Sequence, residues 1–285
     1  MITRAAASTG PCVVLVAGNG DRILHPRLMA DVTVTFNGTQ LQGHASAHVN
    51  ASTAHESIDR KHTLVLRSDA AGLRLWLDDL QDSAHEDVSD QMERLGCLPS
   101  TGFMVIHALW ALHTRVWVDG IGLDPTLVRP TSLPLRKPLP QMFHNWLGER
   151  RVSLSRWLSD PPSNWTWPLT SGPTDTYYEP STDVAFVEYI DVLEALLAAQ
   201  QSGSLSRLTQ LAQRKVQSSD SLLHESALTR QLEGCFHLQR NVSETANWWL
   251  FDHQASSVVN RLAERLRSAQ RQSFLLLRQR AGMVG

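Results

Sequence analysis

The chain has 285 residues, of which 42% are hydrophobic, and its formal net charge at pH 7 is −2. This length suffices for one large domain or two modest ones, and the near-neutral charge excludes the strong basic field typical of nucleic-acid-binding proteins. No apolar run approaches the roughly 20 residues that a transmembrane helix needs. The three widely spaced cysteines indicate neither a zinc knuckle nor a disulfide framework. We therefore expect a cytoplasmic protein without a secretory signal.

The first third of the chain has the pattern of a parallel α/β sheet. Residues 12–18 (CVVLVAG) form a continuous apolar run that ends in glycine, which is typical of a central parallel strand. Residues 31–38 alternate like a second strand, and residues 63–67 are a third candidate. The polar, histidine-bearing segment between these two predicts a loop with short structured pieces. Residues 70–96 predict a helix with a charged exterior.

The segment 99–124 (PSTGFMVIHALWALHTRVWVDGIGLD) is the most informative part of the chain. It begins with a tight polar turn, continues as an apolar helical run and ends in a β-branched segment that leads into Gly120. Turn, helix, buried strand and glycine exit indicate one half of a parallel α/β unit. Free backbone N–H groups at the start of the helix suit a phosphate or a carboxylate, and Ser100 and Thr101 add hydroxyl donors.

The second half of the chain predicts a cover segment, a linker and a helical region. Five prolines between positions 125 and 140 exclude a regular helix, and another helix is expected from about Leu147 to just before Pro161. The predicted organisation is an α/β domain over 1–160, a Pro/Ser/Thr/Trp-rich linker or arm over 161–183, and a helical region over 184–285. Within that region the periodicity predicts helices over 186–201, 205–218, 221–240 and 243–280.

The turn Gly18-Asn19-Gly20 follows the first strand, where glycine lets the backbone approach a nucleotide. A dinucleotide fingerprint would need a third glycine at position 23, which is isoleucine. A plain strand-to-helix turn is therefore an equal alternative for this motif. The second strand ends in the same way, at Asn37-Gly38. Asparagine suits a phosphate neighbour because it offers a donor and an acceptor without adding negative charge.

Three motifs, taken in chain order, resemble those of the sialyltransferases. The pair V-V-L-V-A-G-N-G and A-D-V-T-V-T-F-N-G resembles the long sialyl motif and its bacterial counterpart. P-S-T-G, an apolar helix and V-x-V-x-G-x-G resemble the short motif, and His144 with Glu149 matches the H-x-x-x-x-E of the very-short motif. The resemblance implies an α/β fold with a Rossmann-like parallel sheet of the GT-A-variant, sialyltransferase-like type, followed here by a mainly α-helical C-terminal region.

The resemblance also implies a set of site residues. Asn19 and Asn37 match asparagines that face the CMP-sugar in the family, and His144 matches the histidine that takes a proton from the acceptor hydroxyl. The full set expected to bind the substrate is Gly18, Asn19, Gly20, Asn37, Ser100, Thr101, Gly102, Gly120 and Glu149. The nearby Arg150, Arg151 and Arg156 could neutralise a phosphate, but we expect them to be exposed on a helix surface.

We expect neither a metal nor a cofactor. No D-x-D triplet occurs, and a CMP-sugar leaves with a single phosphate, so no diphosphate needs to be bridged. The expected partners are a CMP-activated sugar donor and a glycan or glycolipid acceptor, with no nucleic acid. No transmembrane segment is expected, and the composition is compatible with peripheral association with a membrane.

The predicted function is therefore a metal-independent, inverting glycosyltransferase that transfers sialic acid, or a related acidic sugar such as Kdo, from a CMP donor to a glycan hydroxyl. The alternative is a non-catalytic binding or assembly protein on a degenerate sialyltransferase-like scaffold. The long helical tail supports that alternative, because Val258, Leu262, Leu266 and Trp248-Trp249 could form a packing surface for another chain or for a second domain of this one.

Overall fold

A computed structural model describes residues 11–18, 30–38, 45–55, 62–112, 114–134, 137–171, 186–217, 220–223, 226–238 and 247–283. The chain divides into two units. The sheet unit comprises Met1–Gln91, Pro99–Gly122 and Pro162–Gly172. The helical unit comprises Met92–Leu98, Leu123–Pro161 and Pro173–Gly285.

The sheet has six strands in the order β4-β3-β2-β1-β5-β6. The strands are β1 (Val13–Ala17), β2 (Ala30–Phe36), β3 (Ala45–His55), β4 (His62–Arg67), β5 (Arg115–Asp119) and β6 (Trp165–Thr166). Neighbouring strands run parallel, except that β4 pairs antiparallel with β3. The predicted α/β class is confirmed, and so are strands at all four segments that the sequence marks.

Strand β1 lies in the interior of the sheet because its sequence is apolar on both faces. Val14 pairs with Val32 of β2 on one side and with Val116 of β5 on the other. Successive side chains of a strand point to opposite faces, yet Val14, Leu15 and Val16 are all fully buried. Both faces of the sheet are therefore covered at this strand, as a continuous apolar run predicts.

Strand β3 is the largest error of the sequence-based assignment, which expected a loop here. The strand pairs with β2 and β4 and carries polar side chains that bond across the sheet. His48 Nε2 lies 2.8 Å from Thr35 Oγ1 of β2, and Asn50 Nδ2 donates to the same hydroxyl at 3.5 Å. These partners are distant in sequence, so the polar composition of the segment did not reveal the strand.

Three helices belong wholly or mainly to the sheet unit. They are α1 (Arg74–Leu95), α2 (Thr101–Trp110) and the short α4 (Pro168–Ser171); the last turn of α1, from Met92, falls in the helical unit. Helix α2 is buried from Phe103 to Trp110, because nearly every residue in it is apolar. The structure confirms the helices predicted over 70–96 and after Pro99.

The helical unit contains five helices and a two-stranded parallel sheet among the described residues. The helices are α3 (Trp146–Ser159), α5 (Tyr189–Ser202), α6 (Leu205–Gln213), α7 (Ala227–Glu233) and α8 (His253–Arg280), and the strands are β7 (Phe186–Val187) and β8 (Lys215–Val216). The predicted helix over 221–240 is wrong as a single element. The chain there forms a 3₁₀ turn, the two-turn α7 and another 3₁₀ turn.

The C-terminal apolar residues form the core of the helical unit. Val258, Leu262 and Leu266 of α8 are buried together with Trp249, and Trp248 packs against them. The sequence left open whether this apolar surface packs against another chain or within this one. In the structure it packs within this chain.

The boundary between the two units does not follow the predicted one near residue 160. The proline-rich segment belongs to the helical unit, where Leu127 N donates to Asn260 Oδ1 and Arg129 N donates to Ser256 Oγ of α8. Residues 162–171, predicted as part of a linker, instead supply β6 and α4 to the sheet unit. The assignments of the proline-rich segment and of residues 162–171 both depend on hydrogen bonds between residues that are distant in sequence. Local composition does not reveal such bonds. The rest of the predicted linker, residues 172–183, lies outside the described residues.

Candidate functional site

The carboxyl ends of β1, β2 and β5 lie at one edge of the sheet because the three strands are parallel. The chain leaves β1 toward β2 on one side, whereas β5 lies on the other side, so the strand order reverses between β1 and β5. In open α/β sheets such a reversal leaves a crevice in which ligands bind. Gly18 is at this point, and its N–H donates to the carbonyl oxygen of Asp119 at 2.7 Å.

Gly18 is required by packing within the chain. A Cβ at this position would lie 2.3 Å from the carbonyl oxygen of Gly120 and 2.5 Å from Cγ1 of Ile121. Gly120 itself has a φ of +65°, in the left-handed region that favours glycine. The two glycines therefore let the exits of β1 and β5 approach each other. This gives Gly18 a packing role within the chain, and its nucleotide contact stays a prediction. The alternative of a strand-to-helix turn concerns residues after Gly18 that lie outside the described ranges.

The turn before α2 lies at the same edge of the sheet. Ser100 caps the helix, since its Oγ accepts a hydrogen bond from Phe103 N at 3.3 Å. A Cβ on Gly102 would lie 3.4 Å from Cδ1 of Ile121 and 3.8 Å from Cζ of Phe36, which is the last residue of β2. The fold thus brings Gly102 and the Ser100-Thr101 turn beside Gly18 and Gly120, around the common neighbour Ile121.

Asn37 follows β2 directly and is exposed at this edge. Its φ is +53°, a conformation that asparagine tolerates better than most residues, and its N–H donates to the carbonyl oxygen of Ala51. Asn50 of β3, which the sequence did not indicate, accepts from Gly38 N at 3.2 Å and so fixes the turn. Asn19 and Gly20 lie outside the described residues, and their predicted roles are not tested.

His144 belongs to the helical unit, immediately before α3. Asn145 caps that helix, because its Oδ1 accepts from Gly148 N at 2.9 Å. The Nδ1 atom of His144 lies 3.3 Å from the carbonyl oxygen of Leu98, which favours the tautomer with hydrogen on Nδ1 and a lone pair on Nε2. Nε2 is therefore the ring nitrogen of His144 that can accept a proton.

A small pocket of the helical unit contains His144. Its volume is about 10 Å³, close to the minimum that one water molecule requires. The side chains that bear polar atoms in its lining are His144, Asn145, Trp146, His237 and Arg267. Burial lowers the pKa of His237 below its ordinary value of 6.5, although the hydrogen bond to the carbonyl oxygen of Glu233 opposes that effect, so the neutral form predominates at pH 7. Burial also lowers the pKa of Arg267, although Asp124 and Glu264 oppose that effect.

Glu149 and two of the arginines after His144 are inside the helical unit. Glu149 has no exposed surface, and its predicted contact with a substrate stays a prediction. Arg150 and Arg151 are buried, and the expectation that both are exposed is wrong. Arg151 donates to both carboxylate oxygens of Glu233, at 2.7 and 3.0 Å. This pairing explains how a charged side chain occupies the interior.

The sequence missed His237 and Arg267 as neighbours of His144. Both are distant along the chain from residue 144, and neither lies in a recognisable motif. The only signal was the total of 12 histidines, which identifies no position. Tertiary packing of α7, the turn after it and α8 brings these side chains to the pocket.

In the described part of the chain, no group of three or more His, Cys, Asp or Glu side chains is arranged to hold a metal ion. The metal-independence of the predicted reaction stays a prediction. Among the same residues, no helix combines the length and the apolar character needed to cross a membrane.

Comparison of the chain with protein-family models, with curated proteins and with solved structures gives no match.

Proposed function

We propose that this chain is a metal-independent, inverting glycosyltransferase that transfers sialic acid, or a related acidic sugar such as Kdo, from a CMP donor to a glycan hydroxyl. The observation that carries the proposal is the edge of the sheet where the strand order reverses, at which Gly18, Gly120 and the start of α2 come together. The finer assignment of the fold, a Rossmann-like sheet of the sialyltransferase-like GT-A variant, belongs to this proposal. The strand order β3-β2-β1-β5 supports it.

The sheet edge suits the phosphate of CMP for an electrostatic reason. Helix α2 has ten residues, and its first N–H groups point toward this edge, where they favour an anion. Ser100 holds the turn in place, and the exposed Asn37 offers an amide donor and acceptor nearby along the edge. We therefore assign the donor phosphate to the turn of Ser100, Thr101 and Gly102.

His144 is assigned the part of the general base. In the proposed step, the O–H bond of the acceptor breaks and its proton moves to Nε2 of His144. The acceptor oxygen forms a bond to the anomeric carbon of the sugar on the face opposite to CMP. The bond between that carbon and the phosphate oxygen breaks, and its electron pair stays with CMP. The Nδ1–H of His144 points to the carbonyl oxygen of Leu98 and fixes the tautomer that this step needs.

The first experiment compares thermal stabilisation by CMP, UMP, GMP, AMP, UDP and NAD. The proposal expects CMP at millimolar concentration to raise the melting temperature more than the other nucleotides do. A preference for UDP or NAD would contradict it. No stabilisation by any nucleotide would also contradict it, and would favour the alternative of a non-catalytic binding or assembly protein.

The second experiment measures release of CMP from CMP-sialic acid by the His144→Ala variant. The expected loss of kcat is about 10²- to 10⁴-fold, the usual contribution of a general base, with CMP affinity unchanged. His85→Ala is the matched control because His85 is exposed on α1. Full activity of His144→Ala would contradict the assignment of the base.

A further inference from the structure

His237 is a buried imidazole whose two nitrogen atoms have different surroundings. The residue is 4% exposed and follows the 3₁₀ turn after α7. Its Nδ1 lies 3.2 Å from the carbonyl oxygen of Glu233, so Nδ1 carries the hydrogen and Nε2 carries the lone pair. Nε2 is buried and has no hydrogen-bond partner among the described residues. A buried acceptor of this kind costs free energy unless something donates to it.

His237 lines the same pocket as His144. The pocket lies at the N-terminal end of α3, and its other polar lining side chains are Asn145, Trp146 and Arg267. Trp146 uses its indole N–H within the chain, on the carbonyl oxygen of Gln141. Asn145 uses its side-chain amide on the carbonyl oxygen of Leu95 and on Glu233. Among the described side chains that line the pocket, His237 thus contributes a buried ring nitrogen, Nε2, that has no hydrogen-bond partner.

The charges around the pocket favour a neutral ligand group over an anion. Arg267 donates to the carbonyl oxygen of Pro125 at 3.3 Å, and the carboxylates of Asp124 and Glu264 lie near enough to raise its pKa. These carboxylates offset part of its positive charge, while burial disfavours the charged form. The pocket also contains the Nε2 lone pair of His237, which is an acceptor. A hydroxyl group fits this arrangement, because it donates one hydrogen bond and its oxygen can accept another. The volume of the pocket, about 10 Å³, admits one hydroxyl group or one water molecule, so the rest of any polyol must lie outside it.

We infer that His237 is a second functional imidazole of the His144 pocket, whose Nε2 accepts a hydrogen bond from a hydroxyl group of a sugar or another polyol bound there. This inference rests on the proposed function, in which the hydroxyl belongs to the acceptor and His144 takes its proton. His237 holds the hydroxyl group before transfer, when its single hydrogen can be shared between the two acceptors. When no polyol is bound, a water molecule occupies the position of this hydroxyl group and acts as the acceptor in hydrolysis of the CMP-sugar donor.

The test uses two substitutions that each keep one nitrogen position of the imidazole. His237→Asn keeps a donor at the place of Nδ1, facing the carbonyl oxygen of Glu233, and removes Nε2. His237→Gln places an amide at the position of Nε2 and removes Nδ1. If His237 acts on the substrate, His237→Asn lowers kcat for CMP release by roughly tenfold, the worth of one hydrogen bond, and His237→Gln retains more activity. A purely structural role predicts the reverse order, with the larger loss of melting temperature in His237→Gln.

A second measurement does not depend on transferase activity. The full-length protein with ¹⁵N-labelled histidine is titrated with galactose, and the signal of His237 Nε2 is followed by NMR, with His237→Gln as the assignment control. The inference expects this signal to move at tens of millimolar galactose, while the signal of His85 stays in place. An unchanged His237 signal would mean that the pocket binds only an ordered water molecule, and this result would overturn the inference.

The two measurements separate failure of this inference from failure of the proposed function. A shift of His237 with galactose, without CMP release from CMP-sialic acid, supports the polyol pocket and contradicts the transferase. CMP release that is equal in the wild-type protein and in His237→Asn supports the transferase and overturns the role of His237.

Discussion

The two units of this chain are stabilised in different ways. In the sheet unit, β1 is fully buried through Val14, Leu15 and Val16, which pack without direction-dependent partners. In the helical unit, Arg151 and Glu233 are 1% and 0% exposed and depend on each other's geometry. The interior around β1 therefore depends on buried apolar area, whereas the interior around α3 depends also on a paired charge. Each kind of interior should respond differently to substitution.

The candidate sites show the same contrast. At the sheet edge, the predicted residues act mainly through backbone geometry, because glycines allow close approach and Ser100 caps a helix. In the helical unit, the candidate atoms belong to side chains, the imidazoles of His144 and His237. Substitutions at the sheet edge should therefore change the shape of that candidate site. Substitutions of His144 or His237 should instead remove a nitrogen atom that can accept a proton or a hydrogen bond.

The largest expected effect comes from breaking the buried ion pair. Arg151→Met leaves the Glu233 carboxylate buried without its cation, which we expect to cost about 3–5 kcal/mol of unfolding free energy. The carbonyl oxygen of Arg94 also loses the hydrogen bond that Arg151 donates to it, whereas the amide of Asn145 keeps its partner Glu233. Urea unfolding at pH 7 measures the loss.

The double variant Arg151→Met/Glu233→Leu is the control for this prediction. It removes both charges, so it should recover a large part of the lost stability. If Arg151→Met costs less than about 1 kcal/mol, the interior of the helical unit does not depend on the pair, and the contrast between the units fails.

The next effect concerns the close approach of β1 and β5. Gly18→Ala places a Cβ 2.3 Å from a backbone oxygen, which cannot rotate away, so we expect a loss of about 1–3 kcal/mol. Gly102→Ala is the matched control, because its Cβ meets side chains at ordinary contact distance and should change stability by less than about 1 kcal/mol. Equal effects of the two substitutions in thermal unfolding would show that the strand exits are more adaptable than this geometry requires.

A smaller effect is expected from two helix caps, one in each unit. Ser100→Ala and Ser226→Ala each remove an oxygen that accepts from a backbone N–H, at 3.3 and 3.0 Å, and each should cost about 1 kcal/mol. Under the proposed function, only Ser100→Ala should also weaken CMP, measured by calorimetric titration. Equal CMP affinity in both variants would remove Ser100 from the donor site and leave it a structural cap.

The smallest effect is a dependence of stability on pH. Burial lowers the pKa of His237 below its ordinary value of 6.5, so the unfolded chain binds the proton more readily than the native protein does. The contribution of the neutral imidazole is therefore complete above pH 6.5 and is lost as the pH falls toward the lowered value. The wild-type protein should lose more stability between pH 7 and pH 5 than His237→Asn does. Parallel pH profiles of the two proteins would contradict the burial of this imidazole.

The sequence predicted the elements of the sheet unit better than those of the helical unit. Local apolar patterns predicted β1, β2, β5 and α2, because the residues of a buried strand or helix are themselves mostly apolar. Strand β3 was missed because Thr35, His48 and Asn50 satisfy one another across the sheet. The helix predicted over 221–240 was wrong because the chain turns twice within it.

For the candidate site, the sequence alone supplied the order of the motifs, the turn of Ser100 to Gly102 and the histidine at position 144. Three features are evident only in the folded chain. Gly18 packs against Gly120 and Ile121, Arg151 is buried with Glu233, and His237 lines the pocket of His144. The two groups of features differ in the range of the interactions that produce them. The periodic patterns that predict strands and helices depend on residues that are neighbours in sequence. Close backbone approaches, buried ion pairs and shared pockets instead involve residues that are distant in sequence and meet only in the folded chain.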